Sequence, residues 1–393
     1  MTDRLRILYI YPDTISPSPD KRRNALHFLG RFLSGDVLAV TIPSERNTPE
    51  AMAAAAEAIG GFQFCSTRVA GAPRLLRKPA QILKFLQTAI ARRASGGPYD
   101  AIIAHGVYRT GMVGLLLSLA WRRPLMIELM GHPYRGFELD KRLIGRFKRL
   151  VAPYFVSLVF RRSHAIRLLY PSQIADLGST VTESLVPRMH VFHSFVPVSC
   201  VAQGPALRSR EILFVGFPWY LKGVDILISA FLRLADDFPD VTLRIVGYCP
   251  DVAPWKELAG HHPRVMFSGP LPNEQVVEMM RNAAVFVLPS RTEAMGRVLL
   301  EAMAAGTPVI AARVDGVPHY IRDGLDGLLF DREDVEGLET ALRRVLMAPD
   351  EAQVRAERAR EKTLRDYSEE RYAQLFSEAV LSAIERFSRT SNN

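Results

Sequence analysis

Two glutamates eight residues apart, Glu293 and Glu301, stand in the stretch S-R-T-E-A-M-G-R-V-L-L-E-A-M-A-A (residues 290–305). Carboxylates accept hydrogen bonds from sugar and ribose hydroxyls, and the free N–H groups at a helix start bind phosphate. The stretch supplies both, because a helical run begins near Gly296, between the two acids. That combination suits a nucleotide sugar. Wholly apolar Val285-Phe286-Val287-Leu288 precedes the stretch, and Gly306-Thr307-Pro308 closes it ahead of Val309-Ile310-Ala311-Ala312. The order is strand, loop, helix, strand: one βαβ unit with an acidic loop at the C-terminal end of its first strand. Open parallel sheets bind ligands at that edge.

The rest of the chain must position that unit, and it shows the same alternation. Residues 5–11, 36–42, 99–104, 124–130 and 165–170 are near-continuous apolar runs, as expected of buried parallel strands. Amphipathic stretches at residues 25–33, 80–93 and 110–121 lie between them and read as helices. Residues 194–210, with Pro, Gly and Ser and no period, read as a linker. Beyond it come the strand E-I-L-F-V-G (residues 211–216), a helix with Val224, Leu227, Ile228 and Phe231 on one face, and a strand at residues 242–247. A last amphipathic helix spans residues 368–386. The pattern predicts two α/β domains with a crevice between them: residues 1–200, completed by the helix at 368–386, and residues 201–367.

A chain of 393 residues, 48% hydrophobic and 23% charged, has room for two cores. No apolar run approaches the ~20 residues of a membrane-spanning helix. The N-terminus, M-T-D-R-L-R-I-L-Y-I-Y, enters a strand directly and lacks the apolar core of a secretion signal. Cys65, Cys200 and Cys249 are scattered and odd in number, which fits a reducing compartment. These features set the expectation of a cytoplasmic protein. Charge is uneven: residues 1–200 hold 27 Lys/Arg against 13 Asp/Glu, and residues 201–393 hold 23 against 28. Only the first half is therefore expected to meet an anionic partner.

In combination, these motifs resemble retaining glycosyltransferases of family 4 (glycosyl transferases group 1). The resemblance runs from I-L-F-V-G and L-K-G-V-D-I-L-I-S-A-F, through F-V-L-P-S-R-T-E-A-M-G-R-V-L-L-E-A-M-A-A-G-T-P-V-I, to D-G-L-D-G-L-L-F and Y-S-E-E-R-Y. It covers the C-terminal half nearly end to end and is looser before it. It implies the GT-B fold, an α/β architecture of two Rossmann-like, doubly wound domains facing a central cleft. It also implies that Glu293 touches donor-sugar hydroxyls and Glu301 holds the ribose; the plainer alternatives are a solvated loop acid and a helix-surface acid. Gly216 and the segment Gly296, Arg297, Val298 and Leu299 would bind the donor, the helix start taking the diphosphate. Lys222 would neutralise that diphosphate as a point charge, against the alternative of a solvated turn lysine.

Three positions depart from the family pattern. Phe217 stands where an arginine usually follows the glycine, so Arg297 or an arginine of the first domain must replace that cation. The first βα loop reads P-S-P-D-K-R-R (residues 17–23) instead of paired glycines, with Lys21, Arg22 and Arg23 as alternative charge. In L-M-G-H-P-Y, Met130 occupies the place of the family's active-site histidine; either His132 takes that role from a shifted loop or the role is lost, and His105 reads as structural.

The resemblance implies retention without a covalent carboxylate nucleophile, so Glu293 and Glu301 are not a glycosidase dyad. No cofactor and no obligatory metal are expected, since the chain shows neither a D-x-D pair nor clustered ligands. The expected donor is a UDP- or GDP-sugar and the expected acceptor a glycan or lipid-linked sugar, in polysaccharide or glycoconjugate synthesis. Arg135, Lys141, Arg142, Arg146, Lys148, Arg149, Arg161, Arg162 and Arg167 alternate with apolar residues. They suggest either peripheral contact with an anionic membrane at its inner face or an ordinary solvated basic helix. No nucleic-acid module is visible. The competing functions are a catalytically weak sugar-nucleotide-binding scaffold, suggested by Phe217 and Met130, and a nucleotide-sugar epimerase, which the 290–305 motif opposes.

Overall fold

The computed structural model describes residues 4–14, 29–40, 61–67, 69, 73, 76–134, 143–196 and 209–391 of the chain. Its first sheet contains β1 (Leu5–Thr14), β2 (Leu33–Val40), β3 (Phe62–Ser66), β4 (Ala101–His105), β5 (Leu125–Glu128), β6 (Ala165–Leu168) and β7 (Met189–Val191). Their spatial order is β3-β2-β1-β4-β5-β6-β7, with every pairing parallel. Helices α1 (Arg77–Gly96), α2 (Arg109–Trp121) and α3 (Leu143–Arg162) serve the crossovers that parallel strands require. The apolar runs are the cause: all of β5 and β6, and β4 up to Ala104, are buried, which demands cover on both faces.

The second sheet contains β8 (Glu211–Val215), β9 (Thr242–Val246), β10 (Val265–Ser268), β11 (Val285–Leu288), β12 (Val309–Ala312) and β13 (Leu328–Phe330). It is again parallel, in the order β10-β9-β8-β11-β12-β13. Helix α4 (Val224–Leu234) buries Val224, Leu227, Ile228, Phe231 and Leu234 completely, each side chain contributing about 1.5–3 kcal/mol. Further along lie α5 (Asn273–Asn282), α6 (Arg297–Ala304), α7 (Val335–Met347) and α8 (Pro349–Asp366). Helix α7 starts where the Asp334 carboxylate accepts the Gly337 N–H at 2.9 Å.

The chain divides into two compact units, one up to His193 together with the segment from Glu370, the other Ser194–Glu369. Helix α9 (Glu369–Ser391) returns to the first unit, where buried Phe376 meets the rings of Tyr9 (6.3 Å) and Phe192 (6.4 Å). Both units are Rossmann-like α/β layers.

Several local expectations change. The second strand begins at Leu33 rather than Asp36, and the helix expected over residues 25–33 falls mostly outside the described residues. The expected linker is not free at its start: Phe195 and Val196 are buried, and the Val196 N–H donates to the Tyr367 carbonyl at 2.9 Å. Residues 197–208, including Cys200, lie outside the described residues, as do Lys21, Arg22, Arg23, Arg135, Lys141 and Arg142. Among the described residues no helix is long and apolar enough to cross a membrane.

Candidate active site

In the second unit the chain leaves β8 for β9 and β10 on one side, then crosses back to β11 on the other. Loops that diverge from the C-terminal ends of β8 and β11 leave a crevice between them. A pocket of about 420 Å³ opens there, lined among others by Gly216, Phe217, Lys222, Tyr248, Arg297 and Glu301. Two glycines let the loops close on it. Gly223 has φ +68°, and a Cβ there would sit 1.9 Å from the Pro289 carbonyl oxygen. Gly296 has φ +60° and precedes α6, with a notional Cβ 3.0 Å from the Leu288 side chain. Both conformations favour glycine, and at Gly223 the approach to backbone excludes a side chain.

Glu293 is held from several directions. Its carboxylate accepts from the Lys222 ammonium at 2.5 Å, the Gly296 N–H at 2.9 Å and the Ser290 hydroxyl at 3.4 Å. Its own N–H donates to Asp315 at 2.9 Å, and Asp315 also accepts the Thr292 hydroxyl at 2.6 Å. Lys222 carries three donors, so the ion pair leaves N–H groups for a phosphate. At the start of α6 no side chain caps the first turn, and the N–H groups of Arg297 and Val298 precede the intrahelical ladder. Glu301 lines the pocket one turn further on, 3.2 Å from Arg297. Leu299 differs from its neighbours: its side chain is in the core, and its N–H donates to the Gly296 carbonyl at 2.7 Å.

Arg291, absent from the sequence expectations, positions this machinery. Buried at 8% exposure, it forks onto Asp225 at 2.9 and 2.7 Å and reaches Glu333 at 2.7 Å. Its guanidinium covers the Tyr220 ring at 4.2 Å, and its N–H donates to the Leu221 carbonyl at 2.9 Å. The hydrogen bonds it donates to Asp225 lead the effects that outweigh burial and hold it firmly protonated. It therefore ties the loop carrying Glu293 to the loop carrying Lys222. On the pocket wall Phe217 and Tyr248 meet edge to face, 5.4 Å apart, and both residues are exposed. Exposed aromatic faces suit a planar base. Tyr248 was findable as an aromatic just past a strand end.

The first unit places its candidates differently. His132 accepts the Tyr134 N–H on Nδ1 at 3.2 Å and donates from Nε2 to the Asp176 carbonyl at 3.2 Å. Both ring nitrogens are thus engaged in tying its own loop. Met130 is 36% exposed, with its sulfur 4.0 Å from Arg167. Arg167 itself is not on a solvated basic face: it is 2% exposed and paired with wholly buried Glu128. Tyr9 donates to the same carboxylate and His105 Nδ1 lies 3.1 Å away. Burial alone would raise the Glu128 carboxyl, but Arg167, His105 and Tyr9 overcome it and hold the group down at about 2. Among the described residues no group of three or more His, Cys, Asp or Glu is placed to hold a metal ion.

Residues 202–362 match the family Glycosyl transferases group 1. The chain is 34% identical over 186 residues to a glycogen synthase of Mycobacterium tuberculosis, covering 46% of this chain and 45% of the relative. It is 36% identical over 294 residues to a D-inositol 3-phosphate glycosyltransferase of Acidothermus cellulolyticus, covering 68% and 64%. It spans under half the length of the first curated relatives it matches. Among solved structures it resembles the sucrose-phosphate synthase of Thermosynechococcus elongatus (TM-score 0.74, 21% identity, 95% of this chain and 98% of that one). It also resembles Anabaena Alr3699/HepE in complex with UDP and glucose (TM-score 0.72, 18% identity, 96% and 100%). The fold is therefore that of the GT-B glycosyltransferases.

Proposed function

We propose, from the match of residues 202–362 to the family Glycosyl transferases group 1, that the protein is a retaining glycosyltransferase of family 4 that moves a sugar from a nucleoside-diphosphate sugar to a glycan or lipid-linked acceptor in polysaccharide or glycoconjugate synthesis. The observation that carries this reading is the Lys222–Glu293 pair at 2.5 Å, set beside the open start of α6 at the β8/β11 crevice. The diphosphate lies against Lys222 and the N–H groups of Arg297 and Val298, while Glu301 takes the ribose. Phe217 and Tyr248 flank the base. The barrier is departure of the nucleoside diphosphate from the anomeric carbon, and Lys222 with the helix dipole neutralises the charge that develops on it. Glu293 orients a sugar hydroxyl. The acceptor hydroxyl attacks from the side of the leaving phosphate, which takes its proton.

Thermal melting of the purified protein with UDP, GDP and their sugars, alongside Glu301→Ala, tests the donor site. A nucleotide at about 100 times its dissociation constant adds about 2.7 kcal/mol, a rise of roughly 2–4 °C or more. One nucleotide should produce that shift and the variant should lose it. No shift with any nucleotide would sink the donor assignment. A shift without acceptor-dependent nucleotide release would favour the scaffold reading instead.

The acceptor side is assigned to an anionic membrane surface at its cytoplasmic face. On α3, Leu150, Val151, Tyr154 and Leu158 are all exposed, Tyr154 at 76%, and their spacing puts them along one side. The row ends in exposed Arg161 and Arg162, the pattern of an interfacial helix. Substituting Leu150, Tyr154 and Leu158 by serine should abolish flotation with anionic vesicles while leaving nucleotide binding unchanged. Undiminished flotation would count against this surface.

A further inference from the structure

At the N-terminal edge of the first sheet lies a second pocket of about 400 Å³. It forms where α2 and α3 end, where β6 and β7 begin, and along the last turns of α9. Five arginines line it, Arg122, Arg161, Arg162, Arg188 and Arg386, together with His164, and no lining residue is acidic. Clustered guanidiniums ordinarily find carboxylates. Among the described residues these five pair with none. Arg188 donates to the carbonyls of Arg161 (3.2 Å) and Ser163 (2.9 Å), and Arg386 to that of Pro187 (2.9 Å). Among the described residues the buried Nε–H of each finds no acceptor. The nearby carboxylate Glu385 faces Arg389 at 4.0 Å.

His164 completes the cradle. Its Nδ1 accepts the Leu125 N–H at 3.2 Å, which leaves Nε2 to carry a proton as a donor, and its ring meets Phe387 edge-on at 5.1 Å. Burial, then Arg188 and Arg386, push this imidazole down to about 4. Burial, then Arg386, likewise depresses Arg188. Positive charge is crowded here, and among the described residues no acid lines the pocket.

We propose that this pocket binds a phosphate-bearing ligand, a phosphomonoester or diphosphate group with two or more negative charges. A carboxylate offers two oxygens and one charge. A phosphate offers more oxygens and matches the forked donors of several guanidiniums at once. Two sources share that chemistry. One is a phospholipid headgroup, which the apolar row of α3 running into Arg161 and Arg162 would bring to the pocket. The other is a soluble phosphorylated metabolite. The site lies wholly within the first unit and stands independently of the sugar-donor reading.

Calorimetric titration of the full chain with inorganic pyrophosphate tests the site. Lys222→Ala weakens the other phosphate-directed pocket and should leave this binding in place. The variant Arg161→Gln/Arg162→Gln/Arg386→Gln should weaken it roughly tenfold or more. Arg161→Gln/Arg162→Gln alone changes only exposed side chains and guards against misfolding of the triple variant, with circular dichroism melts as the check. Pyrophosphate affinity unchanged in these arginine variants, or lost entirely in Lys222→Ala, would overturn the proposal. Flotation with phosphatidylcholine vesicles, with and without phosphatidic acid, identifies the source. Flotation that requires phosphatidic acid and the arginines supports a headgroup site. Arginine-dependent pyrophosphate binding without such flotation supports a soluble ligand.

Discussion

Lys222→Ala is expected to cut sugar transfer by roughly 10²–10³-fold, about 2.7–4 kcal/mol of transition-state stabilisation, the typical loss when one preorganised donor to a developing anion is removed. The loss should fall on kcat and kcat/KM together, because the charge on the departing diphosphate grows only as the glycosidic bond breaks. The same variant leaves the Glu293 carboxylate, 11% exposed, with the Gly296 N–H and the Ser290 hydroxyl but no cation. Glu293→Gln separates the two effects: it keeps the shape of the loop and frees Lys222, so nucleotide affinity should survive while turnover falls. Initial rates of nucleotide release with acceptor, measured over donor concentration, decide the matter. A change confined to KM would mean that Lys222 holds the donor without acting on the bond.

Arg167→Leu is expected to destabilise the first unit by about 3–5 kcal/mol, the cost of leaving a buried charge without its partner. Against a typical total of about 5–15 kcal/mol, that is a large fraction. Glu128 has no exposed surface, and Arg167 also lies against the rings of Phe192 at 4.5 Å and Tyr372 at 5.0 Å. In the wild type the folded Glu128 carboxyl sits at about 2 against an ordinary 4.5. Its contribution is therefore complete above pH 4.5 and is lost as pH falls through about 2. In Arg167→Leu, burial has lost its largest opponent and the carboxyl shifts upward. The penalty then grows as pH rises above the ordinary value, and the gap between variant and wild type should be wider at neutral pH than near pH 4. Denaturant midpoints at the two pH values measure this. Pairing Glu128→Leu with Arg167→Met should recover much of the loss, because it removes both charges. Equal destabilisation at both pH values would show that packing, not charge, is what Arg167 supplies.

Glu293, Lys222, Arg297, Val298 and Glu301 each stand close to a strand end or helix start recognisable in the sequence, and the fold gathers them around one crevice. The contacts of Arg291 are not legible in that way. Its side chain reaches Asp225, 66 positions away, and Glu333, 42 positions away, and nothing in its neighbours announces either contact. His132 stands two residues from Met130, and its ring nitrogens meet the Tyr134 N–H and the Asp176 carbonyl, the latter 44 positions away. Arg167 read as one of a row of basic residues, yet its place in a fully buried strand turns it inward to Glu128.

The strands read from the sequence, β1, β2, β4, β5, β6, β8, β9, β11 and β12, are all interior to their sheets. The four that went unread, β3, β7, β10 and β13, are the four edges. An interior strand is covered on both faces and is largely apolar, so its identity is written locally. An edge strand is short and only partly covered, as the mixed burial of β3, β7, β10 and β13 shows, and its composition does not separate it from a loop. Alternating apolar runs thus determined two parallel α/β units and set the acidic loop of residues 290–296 at a strand end in the second. Only the tertiary structure decided which charges meet: Lys222 with Glu293, Arg291 with Asp225, Glu128 with Arg167, and five arginines with no acid. Those encounters depend on strand order, on loops packed as closely as Gly223 and Pro289, and on a final helix that returns to the first unit, and none of these is a property of neighbouring residues.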